Sequence, residues 1–120
     1  MANEITLSMS LAYSKDDRTA GLSFAGLQFD VSGNHFIHHV QTVGFAASEA
    51  IVLGEVATPG WIIGINHDDT NYVDVIGVTA ETATGQAKAG EPFFFRFSSA
   101  APHFQANTAA CIVEYLLIED

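Results

Sequence analysis

The chain has 120 residues, 48% of them hydrophobic and nine of them phenylalanine, which excludes a disordered polymer and suits one domain with a real core. Fourteen Asp and Glu against four Lys and Arg give a formal charge of -10. The four cations, Lys15, Arg18, Lys88 and Arg96, are scattered, so a phosphate-binding surface for nucleic acid is excluded, and anionic membranes are disfavoured.

The first predicted strand begins at Ile5, where Ile5, Leu7, Met9 and Leu11 alternate with Thr6, Ser8 and Ser10. Alternation of period two marks a strand with one apolar face. Tyr13 extends the apolar set, and Ser14 to Arg18 reads as a loop. Leu27, Phe29 and Val31 alternate again, with Phe24 near the same pattern, and Ser32-Gly33-Asn34 supplies a turn. His35–Val43, rich in β-branched and aromatic residues, is the third expected strand.

Ala50, Val52 and Val56 fit a strand over Glu49–Val56, and Thr58-Pro59-Gly60 reads as a turn. Trp61–Ile65 is nearly all apolar and is expected to be central. A turn at Asp68 to Asn71 leads into Tyr72–Val78, with Val73 and Val75 facing one way. Glu81–Gly90 is small, polar and glycine-bearing, and is read as a loop. Phe93–Ser98 and Ala110–Ile118 complete a set of about eight strands. With no room for helical crossovers, this predicts an all-β, antiparallel, jelly-roll-like sandwich. The N-terminal segment 1-13 is expected to reach a neighbour as an arm.

Few residues here carry chemistry. His35, His38 and His39 with Glu49 downstream offer metal-ligand types, and Gly54, Pro59-Gly60 and His67 with Asn71 resemble fragments of a cupin motif. Neighbouring His38 and His39 on a strand point to opposite faces, however, so they do not converge on one ion without a bulge. His67, Asp68 and Asp69 form an acidic turn whose residue types equally well bond their own backbone. Cys111 rules out an internal disulfide and reads as a small core residue rather than a nucleophile. Trp61, Tyr13 and Tyr72 could stack on a sugar, but Trp61 sits in an apolar run that favours core packing. Phe93-Phe94-Phe95 and Phe97 lack the interleaved cations of a nucleic-acid platform, since only Arg96 is near. An apolar run on both faces instead predicts a partner subunit over one of them. No catalytic, cofactor-binding or metal residue is assigned, and no cofactor is expected.

One pattern in the C-terminal half resembles something known. An apolar strand ends in Asn66, Asp68 to Val73 forms an Asp-x-Thr-Asn-Tyr-Val hairpin, Gly90-Glu91 precedes an aromatic strand, and Glu114 to Asp120 closes the chain. This is similar to small structural proteins of tailed-bacteriophage virions, of the capsid decoration or cement type. The resemblance implies a non-enzymatic protein, made in the host cytoplasm and placed on the capsid exterior. Its implied partners are the major capsid protein and its own copies, as a homotrimer, with no nucleic acid and no membrane. A tail or fibre adaptor is the nearest alternative, and a cupin-like metal enzyme the alternative of another class.

Overall fold

The computed structural model describes residues 4–77, 82–98 and 101–120. The described residues are all-β, with antiparallel sheets and no helix among them, and the chain separates into two compact units, Met1–Ser32 and Gly33–Asp120.

The first unit is a long two-stranded ribbon, β1 (Ile5–Lys15) paired with β2 (Arg18–Phe29). The expected loop at Ser14 to Arg18 is only a two-residue turn, because Asp16 and Asp17 both adopt positive φ (50° and 64°). Two successive left-handed residues match the twist of a hairpin, and aspartate tolerates that conformation better than most side chains. The ribbon sorts its residues by face. Ile5/Phe29, Leu7/Leu27, Met9/Phe24, Leu11/Leu22 and Tyr13/Ala20 are cross-strand pairs on one side. Thr6/Gln28, Ser10/Ser23, Ala12/Gly21 and Ser14/Thr19 occupy the other. A bulge keeps the sorting intact: between Leu7 and Met9 lies one residue, while between Phe24 and Leu27 lie Ala25 and Gly26. Gly26 has φ of 68° and donates its N–H to Ser8 Oγ (3.0 Å). Of the arm expected over 1-13, residues 5-13 belong to the first strand of a hairpin that runs on to Phe29, and residues 1-3 lie outside the described residues.

The second unit is the sandwich, formed by β3 (Phe36–Val43), β4 (Glu49–Ala50), β5 (Pro59–Asn66), β6 (Val73–Ile76), β7 (Gly85–Ala87), β8 (Pro92–Arg96), β9 (His103–Ala106) and β10 (Cys111–Glu119). One sheet has the order β3-β10-β5-β8 and the other β4-β9-β6-β7. The pairs β3 with β10, β4 with β9, β5 with β8 and β6 with β7 are those of a long hairpin folded over on itself, alternating between sheets. That wrapping is a jelly roll.

The inner faces supply the core. Val43, Ile62, Val113, Tyr115 and Leu117 come from the first sheet and Val73, Val75, Phe104 and Ala106 from the second, all almost completely buried. Phe104 bridges them, its ring edge-on to Tyr115 and to Phe93, each at 5.8 Å. Gly64 of β5 must be glycine: a Cβ there would sit 2.5 Å from the Phe93 ring and 2.8 Å from the Glu114 carbonyl.

Several boundaries differ from the sequence reading, each for a local reason. Only Glu49–Ala50 of the strand expected over Glu49–Val56 forms. The Gln41 side chain takes the place of a strand partner, donating to the Ala50 carbonyl and accepting the Val52 N–H, both at 3.1 Å. Gly54 then turns the chain at φ of 60°. Pro59 and Gly60, expected in a turn, open β5. Three residues of the expected loop Glu81–Gly90 pair as β7, while Glu81, like Val78 at the end of the expected sixth strand, lies outside the described residues. Phe93–Phe95 runs along a sheet edge, at the end of the order β3-β10-β5-β8. Phe93 points inward, and Phe94 stacks outward on Trp61 at 5.2 Å.

Candidate functional site

The two sheets of the sandwich have unlike outer faces. On the β4-β9-β6-β7 sheet, Gln105, Asp74 and Gln86 stand abreast in register, a polar row suited to water, beside a row of Ala50, His103 and Ile76. Gln86 donates to Asp74 (3.1 Å), and Gln105 to the Phe45 carbonyl (3.2 Å). On the β3-β10-β5-β8 sheet the corresponding rows are apolar. His38, Leu116, Ile63 and Phe94 stand abreast, as do Val40, Glu114, Ile65 and Pro92, and Phe36 lies opposite Ile118. Phe36 is 67% exposed, Val40 55%, Ile112 49% and Ile63 46%. A shallow depression of about 350 Å³ opens on this face between His38, Ile63, Pro92 and Leu116.

Its central polar group is self-contained. Glu114 lies between two histidines, with His38 Nε2 2.7 Å from one carboxylate oxygen and His67 Nε2 2.8 Å from the other. A carboxylate only accepts, so both ring nitrogens donate. Those hydrogen bonds, that from His67 foremost, hold the Glu114 carboxyl below its ordinary value. His38 comes from β3, diagonally across from Glu114. His67 follows β5, where its N–H bonds the Ile112 carbonyl (2.9 Å). The Glu114 carboxylate in the centre of the face is thus satisfied by groups of the chain itself.

The structure disperses the histidines that the sequence offered as a metal set. His35 Nδ1 bonds Glu119 at 3.1 Å, His38 bonds Glu114, and His39 turns inward, edge-on to Tyr115 at 6.0 Å. Glu49 accepts the Gly44 N–H, five residues back along the chain. His67 joins His38 on Glu114, a pairing that spacing along the chain did not suggest. Among the described residues no three His, Cys, Asp or Glu side chains are grouped to hold an ion. Burial pushes the Cys111 thiol up, away from nucleophilic reactivity. Tyr115, with its hydroxyl 2.6 Å from the Val52 carbonyl, is raised to about 12 by burial. Trp61 stacks on Phe94 and lies under Arg96 (5.7 Å), so its ring is engaged within the sheet.

The C-terminal pattern is a structural knot. Asn66 is fully buried, and its side-chain amide donates to the carbonyls of Asn71 (2.9 Å), Ala87 (3.1 Å) and Lys88 (3.3 Å). Its Oδ1 accepts the Asp68 N–H (3.0 Å), and its backbone pairs with Glu91 and Gly90. Asp68 accepts the N–H groups of Asn71 (2.6 Å) and Thr70 (3.0 Å), which hold its carboxyl below the ordinary value. Gly90 takes φ of 78°, and Glu91 accepts the Lys88 N–H (2.9 Å). The acidic turn His67-Asp68-Asp69 therefore closes a loop and ties β5 to the segment between β7 and β8.

Glu119 is a second knot. Its carboxylate accepts N–H groups from Ala57 (2.7 Å) and Asn34 (3.0 Å) and bonds His35. Those backbone donors, Ala57 first, hold it down to about 2 from an ordinary 4.5. Gly33 leaves it room, since a Cβ there would sit 2.4 Å from Glu119 Cγ. A carboxylate depressed on folding contributes stability that is complete above pH 4.5 and lost as pH falls toward 2. Glu119→Gln, which keeps one acceptor oxygen but no charge, should lower stability at neutral pH. It should also flatten the acid limb between those values relative to wild type, as read by Trp61 fluorescence along an acid titration.

Compared with protein families, with curated proteins and with solved structures, the chain matches none.

Proposed function

We propose that this chain is a non-enzymatic virion structural protein of a tailed bacteriophage, a decoration or cement protein that stabilises the head from outside. The observation that carries this reading is the contrast between the two outer faces: one sheet is dressed for water, the other for a protein partner. A jelly roll that acts by contact needs no catalytic constellation. It needs area, and the mechanism is mechanical, with many copies bridging neighbouring subunits of the shell. The acidity supports placement on a crowded exterior, where like charge keeps particles apart. The finer assignment, to phage heads and to contacts with the major capsid protein and its own copies as trimers, rests on the C-terminal pattern from Asn66 to Asp120.

Quantitative mass spectrometry of purified particles tests it. The proposal expects this chain at a fixed ratio to the major shell protein, and released heads that become more fragile when it is stripped. Absence from particles would overturn the reading. A handful of copies per particle would overturn head placement and move the protein to a tail or fibre adaptor.

A further inference from the structure

We infer that His38, Glu114 and His67 form a pH-driven clasp that fastens the edge strand β3 and the loop after β5 to β10. The clasp tightens in mild acid and opens in strong acid. It stands on the geometry of the sandwich and does not depend on the functional reading above.

Three separate segments meet at one carboxylate. β3 stands at one end of the order β3-β10-β5-β8 and pairs with β10. It is eight residues long, with no proline and no break in its register. A long edge strand without such breaks is one that a fold has to fasten or shield. Glu114 stands in mid-β10 on the outer face, flanked in register by Val40 of β3 and Ile65 of β5. His38 reaches it from β3 and His67 from just beyond β5, one ring to each oxygen. His38 lies opposite Leu116, so its ring leans along the sheet to make the contact. The side chains of His38, His67 and Glu114 are 61%, 46% and 37% exposed, so protons reach all three from water.

Proton chemistry decides when the clasp holds. Each ring donates its Nε2–H to the carboxylate, which leaves Nδ1 to take a further proton. With Glu114 ionised and both rings neutral, the cluster carries one negative charge. Histidine changes charge between about pH 5 and 8. Protonation at Nδ1 leaves both hydrogen bonds in place and adds a Coulombic attraction to each. Two cations then share the one anion between them. In stronger acid that anion is lost. The Glu114 carboxyl is held below its ordinary 4.5, by His67 first and His38 second. Its contribution is therefore complete above pH 4.5 and lost as pH falls through the folded value. Two imidazolium rings are then left with no anion between them, and the clasp opens.

The neighbouring elements bring few other titratable groups. β3 turns His39 inward against Tyr115 and gives His35 to Glu119. β5 presents Trp61, Ile63 and Ile65, and β8 presents Arg96, which pairs with Asp120. Asp68, Asp69, Lys88 and Glu91 sit in the segments beyond the end of β5 and before β8. There Asp68 accepts the N–H groups of Thr70 and Asn71, and Glu91 accepts that of Lys88.

Amide hydrogen exchange of the full chain, read by NMR at about pH 7.5, 5.5 and 3.5 and corrected for intrinsic rates, tests the clasp. β8 pairs with β5 on its far side and serves as the internal reference, which cancels any acid loss shared by the whole sandwich. In wild type the protection of β3 relative to β8 should rise about three-fold from the first pH to the second, the scale of exposed ion pairs. It should drop below its starting level at the third. Glu114→Gln keeps the size and one acceptor oxygen but not the charge. In that variant the ratio should fall rather than rise at the second pH, because the two imidazolium rings share no anion. His67→Gln should loosen the loop after β5 and leave a rise in β3. All three side chains are well exposed, so each variant should keep its near-ultraviolet dichroism. A wild-type ratio that does not rise, or a Glu114→Gln ratio that rises as in wild type, would overturn the clasp.

Discussion

Phe104→Ala is expected to remove about 3–5 kcal/mol from the stability of the sandwich, the usual cost of deleting a buried aromatic ring. The ring is fully buried on β9 and edges against both Phe93 and Tyr115 of the facing sheet, so its loss opens a void between the sheets. Neither neighbour can collapse into that void freely. Phe93 is pinned over Gly64, and the Tyr115 hydroxyl is tied to Val52. For a unit of this size the melting temperature should fall by at least about 12 °C. Phe45→Ala makes the comparison. That ring is 50% exposed in the loop after β3, away from the apolar sheet face, and its loss should leave unfolding within about 0.5 kcal/mol of wild type.

Asn66→Leu should have the next largest effect, about 3 kcal/mol by urea denaturation followed through Trp61. Leucine has nearly the same volume, so packing changes little and the loss is that of hydrogen bonds. The Asn66 amide serves the carbonyls of Asn71, Ala87 and Lys88, and its oxygen serves the Asp68 N–H. Burying such groups without a partner costs about 1–3 kcal/mol each. The loop after β5 and the segment between β7 and β8 would lose their common anchor, so faster hydrogen exchange should appear at Asn71 and Lys88 before it appears in β10. A change of less than about 1 kcal/mol would mean that water takes over these contacts and that Asn66 is not the anchor.

The all-β fold was legible where alternation or continuous apolar runs lay within single strands. Ile5–Leu11, Trp61–Ile65 and Ala110–Ile118 announce themselves in this way, and Val73 and Val75, read as facing one way, are both buried. Alternation misleads where a bulge shifts its phase. Leu22 and Phe24 are out of step with Leu27 and Phe29 in the sequence, and only the extra residue at Ala25-Gly26 puts all four on one side. The second strand of the arm was therefore read as a short segment near Leu27. β7 and β9, of three and four residues, are too short for any period and exist because neighbouring strands offer them edges.

The candidate site was legible in part. Alternation within β3 separates His38 from His39, as expected of adjacent strand residues, and so breaks the apparent metal set. What no spacing shows is that β10 lies between β3 and β5, which brings His38 and His67 to Glu114. Nor does sequence show that Phe94, within an aromatic run, belongs with Ile63, Leu116 and His38 in one row across four strands. An unpartnered face is a property of strand order, and strand order is set by long-range pairing.

Sedimentation equilibrium of the wild-type chain at micromolar concentration tests most directly the proposal that copies of this chain assemble with one another. The account predicts a single assembly with a mass of three times the 12.8 kDa chain, persisting on dilution. A mass of 12.8 kDa across the whole concentration range would contradict it.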